Sequence, residues 1–145
     1  MAKGAVEAVT FDAAGTLIHL AEPVGVSYSR VAASHGIQSD PTTVSEAFRS
    51  VWKRTPLPFS EESHVADRNE KEWWSRVVRD VFEEAAATLP GPSEFGIFFE
   101  ALYDHFESPG TWRLDTEAHE VVERIAEHFP CSLLSNFDGR LRRIL

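Results

Sequence analysis

A carboxylate followed by small residues, Asp12-Ala13-Ala14-Gly15-Thr16, is the part of this sequence best suited to chemistry. It comes directly after a mostly apolar run, Val6 to Phe11, which predicts a buried strand with Asp12 at its C-terminal end. A carboxylate exposed at a sheet edge can act as a nucleophile, and the backbone N–H groups of a small-residue loop can hold an anion. Gly15 would permit a positive φ or a close approach of substrate, and Thr16 could cap the turn.

A hydroxyl and an amide follow a second predicted buried strand, which covers Cys131 to Ser135. An open α/β sheet gathers its ligand groups at the carboxyl ends of its strands. There Ser135 could donate to a substrate oxygen and Asn136 could orient it. Each segment alone is also typical of an ordinary turn, with Asp12 as a local cap in the first. Their combination, on either side of a long helical stretch, favours a site.

The stretch between the two segments predicts one amphipathic helix after another, beginning with residues 23–35. Predicted helix starts are Asp40-Pro41, Asp67 with Glu70 three residues on, and Ser93; predicted ends are Gly36, Thr55-Pro56-Leu57-Pro58, Pro90-Gly91-Pro92 and Pro109-Gly110. A fifth helix is expected at about 116–128, and a further one begins near Asp138. The fold class is therefore α/β, in the order strand, four-helix insertion, helix, strand.

Composition excludes several classes of protein. With 43% hydrophobic and 26% charged residues among 145, the chain is globular. Its net charge of −9 argues against nucleic acid or an anionic membrane surface as a partner. The longest stretch without acidic or basic residues, His128 to Phe137, is far shorter than the roughly 20 apolar residues of a membrane span. Glu7 and Asp12 interrupt any signal peptide, and the single cysteine, Cys131, fits a cytoplasmic protein.

The segments VTFDAAGTLI and LLSNFDGRL, with a helical insertion directly after the first, resemble motifs I and II of the haloacid dehalogenase superfamily and its helical cap. Within that superfamily the resemblance is greatest to the rhythmically-expressed-gene-2-like branch, most of whose members are regarded as phosphatases of unassigned substrate. The resemblance implies an α/β core of Rossmannoid type with an incomplete parallel sheet, formed by residues 1–18 and 112–145. Residues 19–111 would form the helical cap.

The resemblance also implies a mechanism. Asp12 would attack phosphorus or carbon of a small-molecule substrate, giving an aspartyl intermediate that water hydrolyses. In phosphatase members Mg²⁺ is held by this aspartate, by the backbone carbonyl two positions on, here Ala14, and by an acid from motif IV. The metal neutralises the charge that would repel the carboxylate from the phosphoryl group. The expected substrate-contacting residues are Gly15, Thr16, Ser135 and Asn136.

Ala14 is the first departure from the superfamily pattern. Phosphatases of the superfamily usually have there a second aspartate that protonates the leaving oxygen, and such help is worth typically 10²–10⁴-fold. We therefore expect weak ester phosphatase activity, unless another group or a good leaving group substitutes. Dehalogenase members also lack this aspartate, because halide leaves without a proton, so carbon–halogen hydrolysis is the alternative. His19 is a candidate stand-in acid, although a lone histidine there is more often structural or solvated.

The second departure is the length of the core. The superfamily's motif III lysine and motif IV acids lie on later strands, whereas this chain ends at Leu145, one short step past motif II. The sequence thus predicts a truncated core that is inactive, or nearly so, in isolation. A fragment, a prematurely stopped reading frame, or an exchange of elements between two copies that completes the sheet would each account for the length.

The competing interpretation is a non-catalytic helical interaction module. It depends on the aromatic doublets Trp73-Trp74 and Phe98-Phe99. Doublets at helical spacing are typical of a core, yet one member of each is expected to point away from the main apolar face. Glu62, His64 and Asp67 have the composition of a metal site, but they fall in a predicted polar loop, which is typical of solvated residues.

Overall fold

The computed structural model describes residues 5–56, 58 and 63–145; for residues 63–69 it describes the backbone and not the side chains. The described chain forms two compact units, residues 5–21 with 109–145 (the core unit) and residues 22–108 (the cap unit). The elements in chain order are β1 (Val9–Phe11), β2 (Ile18–Leu20), α1 (Val24–Ser34), α2 (Pro41–Arg54), α3 (Ser63–Glu84), α4 (Pro92–His105), a 3₁₀ turn (Pro109–Thr111), β3 (Trp112–Leu114), α5 (Ala118–Ala126), β4 (Cys131–Leu133) and α6 (Leu141–Ile144).

The core unit contains the expected parallel pair of strands. β1 and β4 pair in register, with Val9 opposite Cys131 and Phe11 opposite Leu133. The predicted fold class, α/β with an incomplete parallel sheet and inserted helices, is confirmed. The prediction that both strands are buried was wrong: all three residues of β4 are exposed, and β1 has Thr10 exposed and Val9 and Phe11 only partly buried, because the described sheet has only these two strands.

The core unit contains a second pair of strands that was not predicted. β2 and β3 pair antiparallel, with Ile18 opposite Leu114 and Leu20 opposite Trp112. This hairpin-like contact moves the boundary between the units three residues beyond the expected positions 18 and 112 on each side. β2 and β3 have three residues each, which is too short for a period of two to be recognised, so no local pattern marks them.

The cap unit has its own apolar core. The ring of Tyr28 lies near its centre, with ring centroids 5.8 Å from Phe48, 6.1 Å from Phe82 and 5.6 Å from Phe106. The buried apolar residues of this core are Tyr28, Ala32, Ile37, Val44, Ala47, Val51, Trp73, Val77, Val78, Val81, Phe82, Phe95, Phe98, Phe99 and Leu102.

The aromatic doublets belong to this core. Phe98 and Phe99 are both buried, as is Trp73, and Trp74 is partly buried against the same cluster. The expectation that one member of each doublet points away was therefore wrong for the phenylalanines. Among these four rings only Trp74 keeps exposed surface, which leaves the interaction-module interpretation with little of the aromatic surface on which it depended.

Helix boundaries follow the predicted signals in part. Asp40 caps α2, accepting the Thr43 N–H at 2.8 Å with Pro41 at the first helical position, and Gly36 ends α1 with φ +77°. α3 begins at Ser63 rather than Asp67, so the predicted polar loop is helical from that point. α4 begins at Pro92, with Gly91 as its N-cap, rather than after Ser93.

Two further predictions concern metal sites and membranes. The side chains of Glu62, His64 and Asp67 lie outside the described residues, and so does any site formed by them. Among the helices that the structure describes, none has the length and apolarity needed to cross a membrane.

Candidate active site

Asp12 is the first residue after β1 and is exposed at the carboxyl edge of the parallel sheet. Ser135 follows the partner strand β4 at the same edge. The link between the two is a backbone hydrogen bond from the N–H of Leu134 to the carbonyl of Phe11, 2.9 Å long. Since both strands run in the same direction, the structure brings together the two segments that the sequence singled out.

The loop after Asp12 is folded around one carbonyl group. The carbonyl of Ala13 accepts the N–H groups of Thr16, Leu17 and Ile18 at 3.2, 2.8 and 3.0 Å. The Ala13 side chain is fully buried and belongs to a small cluster with Ile18, Leu141, Trp112, Phe137 and Ile144. A side chain of this size can be buried while the chain turns back immediately after Asp12.

Gly15 and Thr16 shape the outer part of this loop. Gly15 has φ +87°, the positive value expected of a glycine there, and its N–H donates to the carbonyl of Ile18 at 2.8 Å. Thr16 is exposed and joins the turn through its backbone N–H. Both residues are therefore exposed to solvent in the loop that follows Asp12.

The Asp12 carboxylate and the Ala14 carbonyl are the oxygen donors expected to bind a cation. Across residues 5–56, 58 and 63–145, no described hydrogen bond reaches either group. Mg²⁺ takes oxygen ligands and retains several waters, so this donor pair fits it. Within the same described residues, no group of three or more His, Cys, Asp or Glu could hold a metal ion.

Ser135 accepts a hydrogen bond and keeps a proton to donate. The N–H of Phe137 donates to Ser135 Oγ at 3.2 Å, which closes a turn directly after β4. A hydroxyl group that accepts one hydrogen bond still carries its own O–H for another acceptor. Asn136 is exposed between these two residues.

Sequence reasoning missed the partner of His19. In the core unit the imidazole Nε2 of His19 lies 3.2 Å from Oδ2 of Asp115, a residue that follows β3. The N–H of Glu117 donates to the other oxygen of Asp115 at 3.0 Å and holds the pKa of this carboxyl below its ordinary value, and the hydrogen bond with His19 acts in the same direction. The unpredicted pairing of β2 with β3 brings the two side chains together, so no local sequence signal marks the pair.

Sequence reasoning also missed a buried ion pair after Ser135. The carboxylate of Asp138 and the guanidinium of Arg140 bind each other, and their side chains are only 3% and 7% exposed. Two charged residues flanking a glycine are typical of a solvated turn, so their burial could not be predicted from the residue types.

Comparisons with known proteins support the superfamily resemblance. No family model matches the chain. "Haloacid dehalogenase-like hydrolase domain-containing protein 3" of Mus musculus is 30% identical over 138 residues, which cover 94% of this chain and 54% of the relative. The proteins of that name from Homo sapiens and Danio rerio are 29% and 28% identical, over 94% of this chain and 54% and 56% of their own lengths. Over nearly its whole length the chain is therefore similar to proteins named haloacid dehalogenase-like hydrolases.

The chain spans about half the length of the haloacid dehalogenase-like relatives it matches. The superfamily prediction is confirmed, and the closer assignment to one branch stays a prediction. The structure places Asp12 and Ser135, the residues that the resemblance assigns to motifs I and II, at one sheet edge. It also places a buried alanine, Ala13, and the half-buried Ala14 where the loop of motif I turns.

Proposed function

We propose that this chain carries the nucleophile of a haloacid dehalogenase-like hydrolase of phosphatase type, which acts on a small phosphorylated substrate. The observation that supports the proposal most strongly is the shared edge of β1 and β4, where an exposed Asp12 carboxylate and the Ser135 hydroxyl follow adjacent strands. The names of the relatives, which are similar over 94% of the chain, agree with a hydrolase.

The reaction needs two displacements at phosphorus. First an oxygen of the Asp12 carboxylate bonds to phosphorus while the bond from phosphorus to the leaving oxygen breaks. The leaving group departs with that electron pair and takes a proton from solvent or from a nearby acid. Water then attacks the phosphorus of the aspartyl phosphate and loses a proton, which releases inorganic phosphate and restores the carboxylate.

Four residues at the sheet edge and in the loop after Asp12 would support this reaction. Ser135 would donate its O–H to an oxygen of the phosphoryl group, and Asn136 would help to orient it. The Asp12 carboxylate and the Ala14 carbonyl would hold Mg²⁺. When bound there, Mg²⁺ supplies charge neutralisation between the carboxylate and the anionic substrate.

Ala14 restricts the class of substrate. An alanine cannot protonate a leaving oxygen, so alkyl phosphate esters with poor leaving groups are disfavoured. Acyl phosphates and activated aryl phosphates need little or no proton transfer as the bond breaks. We therefore propose a substrate with a good leaving group, and weak turnover of ordinary esters.

Fluoroberyllate with Mg²⁺ mimics a phosphoryl group on an aspartate and tests the proposal directly. Capture of this analogue needs no turnover, so we expect a bound-fluorine resonance by ¹⁹F NMR even for this chain, whose turnover we expect to be weak or absent, and none for Asp12→Asn. Glu7→Gln removes another exposed carboxylate, just before β1, and serves as the matched control that keeps the resonance. Absence of the resonance from the wild-type chain, or its persistence in Asp12→Asn, would overturn the aspartyl mechanism.

Carbon–halogen hydrolysis is the second candidate, and Ala14 is the residue that favours it. Halide leaves without a proton, so the missing aspartate costs nothing in that reaction. Release of chloride from a 2-chloro acid, lost in Asp12→Asn and independent of Mg²⁺, would support this candidate. Mg²⁺-dependent capture of fluoroberyllate with no halide release would favour the phosphatase.

A further inference from the structure

The Asp138–Arg140 ion pair has no part in the proposed chemistry, yet several hydrogen bonds join its two residues. Nε of Arg140 donates to both carboxylate oxygens of Asp138, at 2.8 and 2.9 Å, and Nη2 donates to Oδ2. The backbone N–H of Arg140 donates to Oδ1 as well, at 2.9 Å. One carboxylate therefore binds both the main chain and the side chain of the residue two positions on, and it fixes the turn at Gly139.

The fixed turn is connected to Ser135 through Phe137. The guanidinium carbon of Arg140 lies 5.8 Å from the centre of the Phe137 ring, and the ring of Trp112 meets the same ring nearly edge-on at 5.2 Å. The N–H of Phe137 is the donor to Ser135 Oγ. A continuous set of contacts thus runs from the ion pair to the hydroxyl at the sheet edge.

Stability alone is a weak reason for such a pair. The free-energy cost of removing two charges from water offsets the gain from their mutual attraction. Apolar residues of similar volume can therefore often replace a buried ion pair without loss of stability. Removing one partner is harmful because the other charge is left buried. What a local, bidentate pair does supply is a single backbone conformation for the residues around it.

We propose that Asp138 and Arg140 are positioning residues that hold the Ser135 hydroxyl in place beside Asp12. This inference rests on the proposed function, in which Ser135 contacts the transferring group. Through Phe137, the pair keeps the Ser135 oxygen engaged as an acceptor, so that its proton is directed to the substrate. Neither residue touches the substrate.

Amide hydrogen exchange of Phe137 tests the inference without any ligand. We expect the double variant Asp138→Leu/Arg140→Met to exchange this amide at least 10-fold faster, while the Leu134 amide, bonded to Phe11, keeps its protection. Arg140→Lys retains the positive charge and loses the planar guanidinium. If the double variant does not fold, this variant should likewise exchange the Phe137 amide faster and leave the Leu134 amide protected. The matched control is Glu120→Gln/Arg124→Gln, which removes an exposed ion pair from α5 of the same unit.

Two outcomes would overturn the inference: unchanged protection of Phe137, or equal loss of protection at Phe137 and Leu134. The second result would mean that the pair supports the sheet as a whole. A separate outcome concerns the proposed function. If the wild-type chain captures no fluoroberyllate, the proposed function fails, while the exchange measurement still decides whether the pair holds the turn.

Fluoroberyllate capture then tests whether the pair acts through Ser135. Ser135→Ala and Asp138→Leu/Arg140→Met should each weaken capture by about 10-fold. Combining them should weaken it no further, because both changes remove the same positioned hydroxyl. Losses that multiply would show that the pair acts on the site by another route and would contradict the inference.

Discussion

The N–H of Leu134 donates to the carbonyl of Phe11 at 2.9 Å, and this bond joins the ends of β4 and β1. Asp12 and Ser135 are each the next residue along the chain from the joined pair. Backbone pairing of parallel strands is therefore sufficient to bring motif I and motif II together. The side chain of Leu134 contributes little, since 71% of its surface is exposed.

Leu134→Pro should weaken the core unit, because proline has no N–H to donate to Phe11. We expect a loss of about 1–3 kcal/mol in its free energy of unfolding, the usual cost of an unmade hydrogen bond at a partly buried carbonyl. Leu134→Ala is the matched control and should change it by less than about 0.5 kcal/mol. Urea unfolding followed by NMR signals of residues 5–21 and 109–145 measures both. Equal effects from the two variants would show that the side chain matters rather than the hydrogen bond.

Much of the fold follows from local signals in the sequence. Asp40 before Pro41 predicted a capped helix start, and Gly36 predicted a left-handed helix end; the structure has both. The segments Val6 to Phe11 and Cys131 to Ser135 predicted the two strands whose ends form the candidate site, although the second strand ends at Leu133. These signals are local because capping, turn conformation and strand propensity act within a few residues.

The remaining features depend on contacts that are distant in sequence or on burial. His19 and Asp115 are 96 positions apart in the sequence, and two paired strands of three residues each bring them into contact. Asp138 and Arg140 are close in sequence, but their burial depends on the packing of Phe137, Trp112 and the residues around them. From their charge such residues are predicted to be exposed, and only the tertiary structure shows that they are buried.

Gly15 should resist substitution because of its backbone conformation. An added Cβ would meet no atom within 4 Å, so the φ of +87° is the only obstacle. Gly15→Ala is expected to destabilise the core unit by about 1–2 kcal/mol, the cost of a left-handed conformation for an L-residue. Gly110→Ala also meets no atom within 4 Å and has no positive φ, so it should change stability far less. The same urea titration compares them, and equal losses would contradict the conformational argument.

Gly25 should be irreplaceable for a different reason, the close approach of α1 to α2. A Cβ at this position would meet the carbonyl oxygen of Pro41 and the hydroxyl of Ser45, and would lie 2.7 Å from the backbone N of Ser45. Backbone atoms cannot move aside as a flexible side chain can, so Gly25→Ala should destabilise the cap unit by about 1–3 kcal/mol or more.

Gly96 in α4 is the matched control for Gly25. An added Cβ there has open space, and Gly96→Ala should stabilise the cap unit by about 0.5–1 kcal/mol, because alanine loses less backbone entropy in a helix. Unfolding monitored by the NMR signals of α1 and α4 reports both variants. If Gly25→Ala proves neutral, the two helices are not held by this contact.

His105 should make the cap unit less stable in mild acid. Burial lowers the pKa of this imidazole, the positive charge of Arg30 lowers it further, and the negative charge of Glu22 opposes them. The unfolded chain therefore binds a proton more readily than the folded cap unit. The stability that depends on neutral His105 is complete above the ordinary histidine pKa of about 6.5 and declines as the pH falls from there through the lowered pKa.

His105→Gln should reduce this decline, since glutamine does not titrate. The free energy of unfolding of the cap unit, measured at pH 7.5 and at pH 5.0, should fall less in this variant than in the wild-type chain. Keeping the lower limit at pH 5.0 avoids most of the titration of the carboxylates, including Glu22, whose pKa is held below its ordinary value by hydrogen bonds from Arg30 and Ser27. The decline of the wild-type chain between the same two pH values is the reference. If His105→Gln keeps it, the acid sensitivity of the cap unit arises elsewhere.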